Sequence, residues 1–230
     1  MLHFTEELRH ENLDQSGYPT NLIDAFTELP LLVELSFDVV GQAIPVDHAY
    51  ELFSAIAHFQ AQLHDLKLLS IQTITNTTFE DNKLLLSKFS KLRMRVPAEQ
   101  VRLVYSLANK SLMLSKDKIR LGIPKIDLLQ PASTLYSRMV VIKGHQQPEL
   151  FLAAAQSQLM RLGVDGKVAI SVGSHGSLNR KTLKIRGFTV VGFGLEVVEL
   201  NEQDSLKLQI YGIGGKRKMG CGIFVPKQRI

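Results

Sequence analysis

The apolar residues of this chain switch between a period of two and a period of 3.6, and they do so twice in the same order. Leu31, Val33, Leu35, Phe37 and Val39 alternate with Glu34, Ser36 and Asp38, which predicts a half-buried strand ended by Gly41 and Pro45. Ala49, Leu52, Phe53, Ile56, Phe59 and Leu63 then recur at helical spacing, with Asp47 as a candidate cap. Ser70 to Thr78 is β-branched at alternate positions, and Lys83 to Val96 holds two further extended runs. Pro97 opens a second helix to Ala108, and Lys110 to Gly122 alternates again as a hairpin or closing strand. Gly122, Pro124 and Pro131 interrupt both periods, so this stretch reads as a connector.

The order then repeats. Tyr136 to Lys143 is a strand, and Pro148 starts a helix carrying Phe151, Ala155, Leu159 and Leu162 that Gly163 stops. Val168 to Val172 is a short strand, Gly173 to Asn179 a polar loop, and Thr182 to Leu200 a long strand pair bent at Gly187. A short helix from Asn201 to Tyr211 and a last strand at Ile223 to Val225 complete the set. The prediction is an α+β chain of two split β-α-β copies, residues 31–130 and 131–230, each an antiparallel sheet with helices on one face. An acidic lead, residues 1–30, precedes them.

Composition narrows the function. With 230 residues and 45% hydrophobic content, the chain has apolar material for one large or two small cores, which argues against disorder. No uncharged apolar run approaches the roughly 18–20 residues of a membrane helix. The acidic start lacks the basic flank and apolar core of a secretory signal. Cys221 is the only cysteine, so an internal disulfide is excluded, and a reducing cytoplasm is the expected location. Charge is lopsided: residues 1–66 hold one Arg against 11 acids, and the remainder holds 26 Lys and Arg against 11 acids. A basic body attracts a polyanion through counterion release, or is a solvated face.

The densest local signal is Gly212-Ile213-Gly214-Gly215-Lys216-Arg217-Lys218-Met219-Gly220-Cys221-Gly222. Glycine bares main-chain N–H groups and the three cations attract phosphate, although a basic tail has the same composition. A dinucleotide fingerprint needs Gly at Arg217, and no Gly-Lys-Ser or Gly-Lys-Thr of a Walker loop is present. The segment matches the G-h-G-x5-G-h-G pattern of the RAMP superfamily. With Ile44 to Ile56, Leu135 to Gly144 and Leu208 to Pro226, it resembles the CRISPR precursor-crRNA processing endoribonucleases, and their MYXAN-type variant in particular. The resemblance spans about residues 31–226. It implies two tandem ferredoxin-like (βαββαβ, RRM-like) domains, RNA cleavage leaving a 2′,3′-cyclic phosphate and a 5′-hydroxyl, a hairpin of CRISPR repeat RNA as partner, and other effector subunits as further partners. A non-catalytic RNA-binding RAMP subunit of an effector complex is the alternative.

Cleaving RNA without metal or cofactor requires a base for the 2′-hydroxyl, an acid for the leaving 5′ oxygen and cations for the phosphorane. Histidine suits proton transfer at neutral pH. His48 begins the first helix, where the resemblance also implies a catalytic histidine; its plain alternative is a residue lining a helix end. Arg138, alternating with Val140 along its strand as Lys143 does with Ile142, is a candidate for stabilising phosphate charge or a solvated strand cation, and Tyr50 and Ser137 are weaker candidates for assisting proton transfer. His58 and His64, six apart, cannot share a helix face as metal ligands, and no metal site is expected. His145 and His175 read as loop residues, with RNA contact open for His175. Lys143, Arg180, Lys181, Lys184 and Arg186 are candidate phosphate contacts or ordinary edge cations. Gly212, Gly214, Gly215, Lys216, Arg217, Lys218, Gly220 and Gly222 complete the candidate RNA-binding set.

Overall fold

The computed structural model describes residues 29–173 and 176–227. The acidic lead up to residue 28 and His175 lie outside the described residues. The first half runs β1 (Leu32–Val40), β2 (Ala43–Pro45), α1 (Ala49–Phe59), β3 (Ser70–Ile71), β4 (Thr78–Glu80), β5 (Lys83–Leu85), β6 (Lys91–Pro97), α2 (Val101–Tyr105), β7 (Ser111–Leu114), β8 (Asp117–Leu121) and β9 (Lys125–Leu128). The second runs β10 (Leu135–Val140), α3 (Pro148–Arg161), β11 (Lys167–Ile170), β12 (Arg180–Ile185), β13 (Phe188–Val198), α4 (Glu202–Tyr211) and β14 (Val225–Pro226).

Spatial order makes the repeat explicit. The first sheet is ordered β3-β6-β1-β8, extended by β7, and the second is ordered β11-β13-β10-β14. Counting only the four principal strands of each half, both read second-third-first-fourth, with every pair antiparallel and a helix in each of the two crossovers. That is the tandem ferredoxin-like layout. Alternation drives it: β1 buries Val33, Leu35, Phe37 and Val39 on one face, and Leu52 and Ile56 of α1 close over them. The second core gathers Leu135, Phe151, Leu159, Phe193, Leu195 and Leu208, with the Phe151 and Phe193 rings 4.7 Å apart. Fully burying each such side chain contributes about 1.5–3 kcal/mol.

Four elements depart from the sequence reading. Only Ser70 and Ile71 form β3, because Asn76 takes a φ of +58° and ends extended pairing beyond Thr75. Pro97 closes β6 and caps a 3-10 turn, Ala98–Gln100, leaving α2 only five residues. The expected connector contains β9, an exposed edge strand on β1, which tolerates Pro124 just outside its ladder. Asp47 does not cap α1: the N-cap is His48, and the Asp47 carboxylate accepts the Lys184 N–H of β12 at 2.6 Å.

Candidate active site

A third apolar cluster joins the halves. Ala49 at the start of α1 packs with Met139 of β10 and Val141 just beyond it, with Leu183 of β12 and with Cys221 and Met219 of the glycine-rich loop. The N-terminus of α1 is thereby set on the other half of the molecule. Two further bonds fix it there: the Asp47 link to Lys184, and Arg186 Nε donating to the Tyr50 hydroxyl at 2.7 Å with its guanidinium over the Tyr50 ring. His48, Tyr50, Arg138, Lys181, Lys184 and Arg186, scattered over 139 positions of sequence, are in this way brought to one region.

His48 itself is 2% exposed. Its Nδ1 lies 3.0 Å from the Pro45 carbonyl and its Nε2 3.1 Å from the Ile74 amide nitrogen. A carbonyl only accepts and an amide N–H only donates, so the ring is neutral with its proton on Nδ1. Burial first, and the Arg138 charge with it, hold its pKa below the ordinary histidine value, against the opposing pull of the Pro45 bond. Lys181 is half-buried, and burial followed by Arg138 lowers its pKa as well. Burial thus disfavours the proton-carrying forms of both His48 and Lys181, and the charge of the exposed Arg138 adds to this at each.

The glycine-rich loop runs along the other side of the α1 start. Its glycines serve close approach more than exposure, which corrects the reading of a bare amide edge. A Cβ on Gly212 would stand 2.1 Å from the Gly222 oxygen, and one on Gly222 2.4 Å from the Ile213 oxygen, so the two ends of the loop close on each other. The N–H groups are taken internally: Gly212 donates to the Leu208 carbonyl, Gly214 to Gln158 Oε1, Gly215 to the Val141 carbonyl, Gly220 to the Arg217 carbonyl and Gly222 to the Met139 carbonyl. Arg217 turns inward to the Ile210 carbonyl near the end of α4, and Lys218 donates to the His64 carbonyl. Lys216, with a φ of +68°, stays exposed. Gly220 lies against Thr73, where an added Cβ would meet Thr73 Cγ2 at 2.9 Å, and the next residue is the Ile74 whose amide holds His48.

The family model for Cas6, described as Cas6 Crispr, matches residues 33–229. The chain belongs to the Cas6 family. It is 35% identical over 211 residues to the CRISPR-associated endonuclease Cas6 of Myxococcus xanthus (strain DK1622), covering 90% of this chain and 87% of that one. Among solved structures, a CRISPR-associated protein Cas6 superposes with a TM-score of 0.63 at 12% identity, covering 87% of this chain and all of that chain. A Cas6-related protein from Pyrococcus furiosus gives 0.63 at 13% identity, over 87% of this chain and all of its own. A RAMP protein described as binding different RNA substrates gives 0.64 at 12% identity, over 86% of this chain and all of its own. These three likenesses show the Cas6 fold.

The remaining expected residues of this Cas6 chain are distributed less tightly. Ser137 is 1% exposed and its hydroxyl donates to the Met139 carbonyl at 3.3 Å. Lys143 and Arg180 are exposed, and neither touches the His48 region through any described bond. His145 Nδ1 pairs with the Lys143 carbonyl, and exposed His64 pairs with Asp65 and stacks on Phe53. His58 borders an open groove of about 540 Å³ between α1 and β7. Sequence reasoning missed Ile74, whose amide holds the imidazole, and Arg95, which bonds to carbonyls of the second half. Neither carries a local sequence signal.

Proposed function

We propose that this chain binds CRISPR repeat RNA and cuts precursor crRNA into guide units by metal-independent transesterification. The observation that carries the reading is the convergence of His48, Arg138 and Lys181 at the junction of the two halves, in a chain of the Cas6 family. The 2′ oxygen attacks phosphorus while its proton passes to His48 Nε2, and the P–O5′ bond breaks, leaving a 2′,3′-cyclic phosphate and a 5′-hydroxyl. Lys181, an ammonium made more acidic by burial and by Arg138, protonates the departing 5′ oxygen. Arg138 stabilises the phosphorane charge. Tyr50 holds Arg186 at the wall of the site, and Lys184 and Arg186 lie along the RNA backbone. Nε2 accepts the Ile74 N–H, so this bond must open before the lone pair can take the 2′ proton.

Residues 31–130 and 131–230 act as the two domains of this reading, and other effector subunits are its protein partners. Among the described residues no helix is long and apolar enough to cross a membrane; a cytoplasmic location belongs to the same proposal.

The test is incubation of a repeat-containing RNA in EDTA with end-group analysis of the products. Cyclic phosphate ends, and loss of cutting when the nucleotide at the cut carries a 2′-deoxyribose, support the proposal; a requirement for added metal overturns its chemistry. The burial of His48 favours a second reading, in which the ring ties the turn before α1 to residue 74 and the protein holds RNA without cutting it. Tight RNA binding with intact substrate after long incubation selects that one.

A further inference from the structure

The hairpin joining β12 to β13 turns on Arg186 and Gly187, at φ of +48° and +85°, a two-residue turn that follows strand twist. Its last pair is Ile185 with Phe188. Register places Phe188 on the face that carries Leu183, Ile185 and Val190, and those three join the cluster shared with Ala49 of α1. Phe188 does not share that cover. It is 77% exposed, the largest value among the exposed large apolar side chains of the described residues.

Charge says what belongs on that ring. From Arg180 to Val198 the two strands carry Arg180, Lys181, Lys184 and Arg186 against the single acid Glu196. A polyanion with flat aromatic units satisfies both features, because each phosphate meets a cation and each base offers a π-face. The tip also adjoins the proposed active site, since Arg186 bonds to Tyr50, two residues from His48.

Resting on the proposed function, we infer that Phe188 is a stacking platform for an unpaired nucleobase of the RNA bordering the cut, with Arg186 of the turn on the adjoining phosphate. The chain contains no Trp. Phe188→Trp therefore installs a sole indole at the tip, and its emission reports stacking directly. The probes are a 2′-O-methyl oligoadenylate decamer, which cannot form a cyclic phosphate, and an abasic decamer with the same phosphates. Oligoadenylate is expected to quench the indole and the abasic strand to leave it unchanged. Phe188→Ala, at an exposed site, is expected to keep the wild-type melting temperature, lose about tenfold in oligoadenylate affinity, and bind the abasic strand as wild type does. Emission unmoved at saturating oligoadenylate, or equal losses for both strands, overturns the inference. Cutting of repeat RNA without quenching removes the stacking platform alone, whereas quenching without any cutting supports the platform and removes only the cleavage chemistry.

Discussion

A methyl group distinguishes the glycines of the loop. At Gly222, with a φ of +64°, it would stand 2.4 Å from the Ile213 oxygen, while at Gly215 it meets nothing within 4 Å. Gly222→Ala is expected to cost about 2–4 kcal/mol in urea denaturation, and Gly215→Ala within about 0.5 kcal/mol of zero, since backbone collision and strain belong to the costly class of substitutions. The spacing of the glycines was legible in the sequence, but which of them is crowded depends on oxygens contributed from across the fold. His48 follows the same rule. Its place at the start of α1 could be read from periodicity, whereas its bond to Ile74, 26 residues on, could not. Because the folded ring has a lowered pKa, the unfolded chain binds the proton more readily. The stability contribution is therefore present above about pH 6.5 and is lost as pH falls through the folded value. Thermal melts from pH 8 to pH 5 are expected to show this decline, and a His48→Gln variant a shallower one.

At the scale of elements, β6 shows where a strand pattern misleads. Its sequence KLRMRVP alternates as a half-buried strand should, which marks Arg95 as solvated. Yet Arg95 is 2% exposed: Nε donates to Glu34 of β1 at 2.8 Å, and Nη1 donates to the Phe224 and Gln209 carbonyls of the second half at 2.7 and 3.2 Å. The second half covers the face that a single sheet would leave to water, and one chain's periodicity holds no record of that cover. Arg95→Ala removes the donor of the Phe224 and Gln209 carbonyls and one partner of Glu34, which keeps Gln72 and Arg93. It is expected to destabilise by about 3–5 kcal/mol, read as a shifted denaturation midpoint. Arg95→Met keeps the packing and should lose less. The helices were easier to read: α1 and α3 start within a residue or so of their sequence signals, because Pro148 and the apolar spacing act locally.

Over the whole molecule, the two ferredoxin-like halves meet through α1, β12 and the glycine-rich loop, and this junction gathers the cations that sequence alone showed only as a lopsided charge. The repeat of the fold was legible because each half carries its own apolar periods. The meeting of the halves was not, since it rests on a few side chains such as Asp47 and Tyr50 whose partners lie more than 130 residues away. If Arg138, Lys181, Lys184 and Arg186 each displace a counterion, log affinity for single-stranded RNA falls against log salt with a slope of about −3. Filter binding from 50 to 400 mM KCl checks this, and Lys184→Ala should make the slope shallower by about 0.7. The central claim is that the imidazole of His48 transfers the proton that drives cutting, and single-turnover cleavage by a His48→Ala variant that still melts cooperatively and binds RNA tests it most directly. The expected result is a rate about 10²- to 10⁴-fold below wild type with RNA affinity retained; cutting at the wild-type rate would contradict the account.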